Sequence, residues 1–136
     1  MGTHIPAKTY KSIIRQIPIV CVDLLIRQDD KYLLVKRRDE PRKGQWWVPG
    51  GRIDFSESAV SAAVRKCNEE TNLYFSMPTF VRYYEEYYKT SAFHVPCHTV
   101  SLVFTGIGIG TVKVNRESSS YKWVEVLPYD FLSGLR

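Results

Sequence analysis

GRIDFSESAVSAAVRKCNEETNL, residues 51–73, directly follows Trp47-Val48-Pro49-Gly50, and the rest of the chain is read around it. It runs from Gly51 through Glu57 and Arg65 to the pair Glu69-Glu70 and Leu73. Val60, Ala63, Val64 and Cys67 recur at i, i+3, i+4 and i+7, which predicts a helix with that stripe facing a core. Ser56 is the expected N-cap, and Glu57 then falls in the first turn, where negative charge complements the helix dipole. Lys66, Glu69 and Glu70 share the opposite, polar face. Asn72 stands where a left-handed cap is wanted, and Asn is the usual second choice to Gly there. A glycine turn leading into a helix that carries paired acids can hold a divalent cation against a diphosphate. Mg²⁺ is normally bound by one or two carboxylates together with substrate phosphates and waters. A plainer reading stays open: a solvated helix face with Arg65–Glu69 and Lys66–Glu70 ion pairs, each worth ~0.3 kcal/mol.

Upstream, 7–16 reads as a short helix closed by Pro18. Residues 19–27 are β-branched and apolar on both faces, as in a buried strand. Gln28-Asp29-Asp30 is a turn and 32–36 the returning strand of a hairpin. A polar loop with Pro41 and Gly44 leads to a short strand at 46–48, broken by Pro49-Gly50-Gly51. Downstream, 80–88, 98–106 and 121–126 read as strands, and 128–135 as a closing helix. Alternation puts Tyr84, Glu86 and Tyr88 on one face of their strand, for sheet packing rather than base stacking. Of Trp46 and Trp47, one is expected in the core and the other beside a pocket.

The chain has 136 residues, and 1–136 reads as a single domain with a genuine core. No apolar run approaches the roughly 20 residues that span a bilayer, so a cytoplasmic location is expected. Cys21, Cys67 and Cys97 lack metal-ligand spacing, and an odd count argues for buried, reduced thiols. The formal charge of +5 suits anionic ligands without naming one. His94 and His98 bracket Pro96 and do not share a helical face as metal ligands would.

The spacing resembles the Nudix box, Gly-x5-Glu-x7-Arg-Glu-U-x-Glu-Glu-x-Gly-U, with Lys66 in place of the acid after the arginine and Asn72 in place of the late glycine. The resemblance implies an α+β fold, an α/β/α sandwich around a mixed β-sheet. It also implies hydrolysis of a nucleoside diphosphate linked to another moiety. Glu69 and Glu70 match metal-binding acids of the family, and Gly51, Glu57 and Arg65 match the residues that brace the loop and helix. A lysine at 66 supplies neither a metal ligand nor a base at neutral pH, which favours fewer metal ions.

A narrower resemblance, to the GDP-mannose mannosyl hydrolase branch, rests on Ile17-Pro18-Ile19-Val20, Val35-Lys36-Arg37-Arg38, Pro41, Gly44 through Arg52, and Tyr121-Lys122-Trp123. The stretch 79–114 matches loosely. This branch implies one Mg²⁺ (or Mn²⁺), held by the Gly50 carbonyl, Glu70 and a ligand from the loop before Tyr121, where Glu117 aligns. It implies attack at sugar C1, releasing nucleoside diphosphate and free sugar, and it implies a homodimer. Arg37, Arg52 and Arg65 resemble branch arginines near the diphosphate and leaving group; a basic surface patch with Arg38, Arg42 and Lys43 is the alternative. Ser118 stands where the branch has a histidine base, and a hydroxyl is far too weak a base to replace it. Either another group serves, with His98 or Glu117 as candidates, or the reaction is different or slow; His98 is also a candidate substrate contact, and Glu117 as a loop acid in water stays open. Three functions follow: a nucleotide-sugar hydrolase; a hydrolase cleaving the P–O–P bridge of another nucleoside diphosphate derivative; or an impaired module that only binds nucleotides. No membrane or nucleic-acid partner is expected.

Overall fold

The computed structural model describes residues 4–128. The elements are α1 (Ala7–Ile14), β1 (Ile19–Gln28), β2 (Lys31–Arg37), β3 (Trp46–Trp47), β4 (Gly50–Arg52), α2 (Ala59–Thr71), β5 (Tyr74–Tyr88), β6 (Cys97–Ile109) and β7 (Ser118–Val124). One mixed sheet runs β3-β2-β1-β6-β5, with β4 paired to β1 and β7 to β2. β1 and β6 are parallel, and the remaining pairs are antiparallel. The helix expected over 128–135 lies, except for Pro128, outside the described residues. Among the described residues no helix is long and apolar enough to cross a membrane.

The β1–β2 hairpin turns on Asp29 and Asp30, both at positive φ (49° and 64°), as a two-residue turn matched to strand twist requires. The two strands pair only next to that turn, Arg27 with Tyr32 and Gln28 with Lys31. Beyond it they separate, β2 taking β3 and β7 while β1 takes β4. The chain crosses this opening through Val48-Pro49, and the Pro49 carbonyl accepts from Leu24 N at 2.9 Å. The sequence-based expectation of a glycine break at 49–51 is therefore corrected: Gly50 and Gly51 lie within a strand.

Alternation along β1 splits the core. Val22, Leu24 and Ile26 face α2 with Leu73, Phe75 and Phe104. Leu25 faces the other way, with Leu34, Trp47, Val48, Tyr84 and Val103. The helix expected at 51–73 forms, but it is capped and rotated differently. Ser58, not Ser56, is the N-cap, its hydroxyl accepting from Ser61 N, and Glu57 therefore precedes the helix. Val60 is 47% exposed, whereas Lys66 and Glu70, expected on the solvent face, are buried with Ala62, Ala63 and Cys67. Two alanines let this face approach the sheet closely, which carries the helix's charged side chains under β4. Asn72 closes the helix in the left-handed conformation (φ 66°), as expected.

The strands outrun their sequence-based limits mainly at β5, which starts before Pro78, and at β6, which continues to Ile109. Cys67 is buried, whereas Cys21 and Cys97 are only partly so, and all three are free thiols.

Candidate functional site

The site is built from β4 and α2. The Gly50 N–H donates to Glu70 Oε2 at 2.9 Å, so the helix acid holds the strand backbone. Gly51 packs on the Lys66 stem: a Cβ there would lie 2.3 Å from Lys66 Cε, so the lysine would have to shift. Arg65 joins loop, strand and helix. Its Nε and Nη2 donate to Glu57 at 2.7 and 2.9 Å, Nη1 to Glu69 at 3.2 Å, and Nη2 to the Arg52 carbonyl at 3.0 Å. Glu57 in turn accepts from Asp54 N at 3.1 Å. The Arg65 hydrogen bonds, first among the causes, hold the Glu57 carboxyl below its ordinary range, and Glu57 raises that of Arg65. Arg65 is thereby committed to bracing.

At the C-terminal end of α2 the carboxylates gather. Lys66 Nζ lies 3.5 Å from Glu69 Oε1 and 3.7 Å from Glu117 Oε1. The loop before β7 presents Glu117: its N–H donates to Asn115 Oδ1 at 2.9 Å and its carbonyl accepts from Arg38 N at 3.2 Å. Burial, helped by the neighbouring Glu117, pushes the Glu70 carboxyl up to about 8. A buried acid, Glu70, facing the half-exposed Glu117 is an arrangement that a divalent cation relieves. Among the described residues no three acid, imidazole or thiol groups form a ready cage. The donor chemistry nevertheless fits Mg²⁺ or Mn²⁺, which need only one or two protein carboxylates besides phosphate and water.

On the other side of β4 lies a cavity of about 240 Å³ whose walls include Gly50, Gly51 and Arg52. Arg37 and Arg52 line it, and a guanidinium fork is a shape that suits phosphate oxygens. Arg37 Nε is fixed by the Pro41 carbonyl at 2.8 Å, and Arg52 by Asp54 at 3.0 Å, with its guanidinium 5.1 Å from the Tyr10 ring centre. His98 is not brought here. Cys97 and Thr99 line the cavity, so the intervening His98 points to the opposite face, stacked on Tyr87 and 3.0 Å from Glu85. Ser118 is 2% exposed and opens β7.

Two cavity residues escaped the sequence reading. Asp23 stands buried in the cavity wall, hydrogen-bonded by the Tyr84 hydroxyl, and burial raises its carboxyl to about 6. The signal was present: an acid between Val22 and Leu24 in a strand read as apolar on both faces. Arg42, read within a surface patch, lies 3.6 Å from the Trp47 ring centre and pairs with Glu86 at 2.9 Å, and it too lines the cavity. Tyr84, Glu86 and Tyr88 share one face as alternation required, and Trp47 is the buried tryptophan of the pair.

Residues 17–130 match the NUDIX domain family. The chain is 35% identical over 89 residues to the low-salt glycan biosynthesis protein Agl8 of Haloferax volcanii, covering 65% of this chain and 57% of that protein. It is 45% identical over 56 residues to an ADP-ribose pyrophosphatase of Methanocaldococcus jannaschii, covering 41% of this chain and 33% of that protein. The chain thus spans little more than half of the first relative and a third of the second. The crystal structure of a MutT NUDIX hydrolase from Burkholderia pseudomallei superposes with a TM-score of 0.72 over 88% of this chain and 97% of that one, at 22% identity, and shows the same fold. With Glu57, Arg65, Glu69 and Glu70 at the box positions, and most of its length matched, this chain belongs to the Nudix family.

Proposed function

We propose that the protein is a divalent-cation-dependent hydrolase of a nucleoside diphosphate sugar, with GDP-mannose-like substrates preferred. One observation carries this reading: Arg37 and Arg52 line a cavity whose wall is the same Gly50–Arg52 strand that Glu70 and Arg65 hold from behind. The diphosphate lies against Arg37 and Arg52, whose forked donors suit its oxygens. Asp23 offers a buried acceptor for ligand hydroxyls. Glu70, Glu117 and the Gly50 carbonyl, with Glu69 alongside, would hold a Mg²⁺ or Mn²⁺ ion, which when bound would neutralise charge on the diphosphate. A water oxygen attacks C1 of the sugar. The C1–O bond breaks with its electron pair left on the β-phosphate oxygen, where the arginines stabilise it. Glu117, half exposed, is the group we assign to receive the water's proton, since His98 faces away and Ser118 has no basicity. The glycan-biosynthesis name of one relative supports a sugar-nucleotide substrate.

The ADP-ribose pyrophosphatase relative favours a second reading, cleavage of the P–O–P bridge. Turnover of a nucleotide-sugar panel with Mg²⁺ in ¹⁸O-water separates the two. Label in the free sugar supports C1 attack, and label in phosphate removes it. The reading includes a cytoplasmic homodimer. Phe80, Val81 and Tyr83, exposed on the β5 edge strand, offer an apolar surface for the partner, and light scattering would measure the mass.

A further inference from the structure

Arg42, in the loop between β2 and β3, adopts the left-handed conformation at φ 66°. A β-carbon disfavours that backbone, and it persists only where the surroundings hold it. Here the side chain does the holding. Its guanidinium lies 3.6 Å from the Trp47 ring centre, and Nη2 donates to Glu86 Oε1 on β5 at 2.9 Å. The two side chains are 17% and 25% exposed, so solvent screens the pair only in part. The peptide unit that enters Arg42 carries the Pro41 carbonyl, which accepts from Arg37 Nε at 2.8 Å. Among the described residues this is the one hydrogen bond of the Arg37 guanidinium, so both its terminal amino groups remain for a ligand in the cavity. An anchored Arg42 thus fixes a carbonyl, and the carbonyl aims Arg37.

We propose that Arg42 is a positioning residue: anchored on Glu86 and Trp47, it sets the Pro41 carbonyl and through it presents Arg37 to the diphosphate. The proposal rests on the reading of Arg37 as a diphosphate contact and adds the device that orients it. Arg42 also lines the cavity, but its own guanidinium is engaged, with Nη2 on Glu86 and one face against Trp47. The two roles differ in sign at Glu86. If Arg42 met the phosphates itself, Glu86→Met would free it and tighten an anion. If Arg42 aims Arg37, the same change loosens the anchor and weakens the anion, although it also removes a repelling charge.

The test is calorimetry of the full chain with GDP in saturating Mg²⁺, beside thermal melts that establish folding. Glu86→Met and Arg42→Met should each weaken GDP about tenfold. On an Arg37→Met background, Glu86→Met should weaken it no further, because the group it aims is gone. A merely structural pair would lower the melting temperature without this dependence on Arg37. Tighter or unchanged GDP binding in Glu86→Met overturns the proposal, as does an equal loss with and without Arg37. If Arg42→Met does not fold, Glu86→Met and its combination with Arg37→Met decide by the same criteria. GDP binding that weakens in Arg37→Met but not in Glu86→Met sinks this inference alone. Wild type that binds no GDP, or Arg37→Met that binds it like wild type, sinks the reading of the diphosphate site with it.

Discussion

Arg65 grips Glu57 through two donors, Nε at 2.7 Å and Nη2 at 2.9 Å, while the same Nη2 reaches the Arg52 carbonyl at 3.0 Å. One guanidinium thus ties the loop before α2, the helix itself and the strand that walls the cavity. Both partners are largely sheltered, with side chains 13% and 17% exposed, so solvent screens the pair only partly. Arg65→Ala should cost about 2–3 kcal/mol of stability. Urea denaturation would measure it, and a loss below about 0.5 kcal/mol would show that the brace is dispensable.

Glu70→Gln should leave the fold intact, because an amide oxygen can still accept from Gly50 N. It should lower divalent-cation-dependent turnover on the order of a hundredfold. Activity assays beside circular dichroism test both halves, and full activity in the variant would remove Glu70 from the metal set.

Asp23 sets a pH dependence. Burial raises its folded pKa from 3.8 to about 6. A carboxyl raised in this way adds stability that is fully present below its unfolded pKa and is lost as pH climbs through the folded one. Relative to Asp23→Asn, wild type should therefore lose stability from about pH 4 to about pH 6 and level off above it, by roughly 3 kcal/mol at most. Parallel thermal melts across that range read the difference directly; curves that stay parallel refute the assignment.

Gly51→Ala should damage the site more than the core. The new Cβ would press on Lys66 Cε at 2.3 Å, forcing the lysine stem or the strand to shift. Overpacking of this kind costs about 1–3 kcal/mol. The variant should melt earlier and bind Mn²⁺ with altered affinity, measurable by calorimetry. Unchanged values for both would mean that the lysine moves aside freely.

Much of this site was legible in local spacing. Glu57, Arg65, Glu69 and Glu70 sit on one loop and one helix, so their separation along the chain nearly settles their geometry. The Asn72 cap and the Asp29-Asp30 turn were legible for the same reason, since each depends on a few neighbouring backbone angles. The capping residue was misplaced by one short step, from Ser58 to Ser56, because serines flank Glu57 on both sides and only the Ser61 hydrogen bond tells them apart.

What remained hidden depends on contacts between distant segments. Periodicity marks a stripe but not its rotation against a sheet, so Lys66 and Glu70 read as solvated until β4 was laid over them. Asp23, Arg42 and Arg52 share a cavity only because β1 parts from β2 and lets 48–52 cross between them. The box from Gly51 to Leu73 carries its family identity in covalent order, which folding cannot alter. Its charge balance, with an ammonium among three acids, exists only once strand pairing and burial have brought Glu117 beside Lys66.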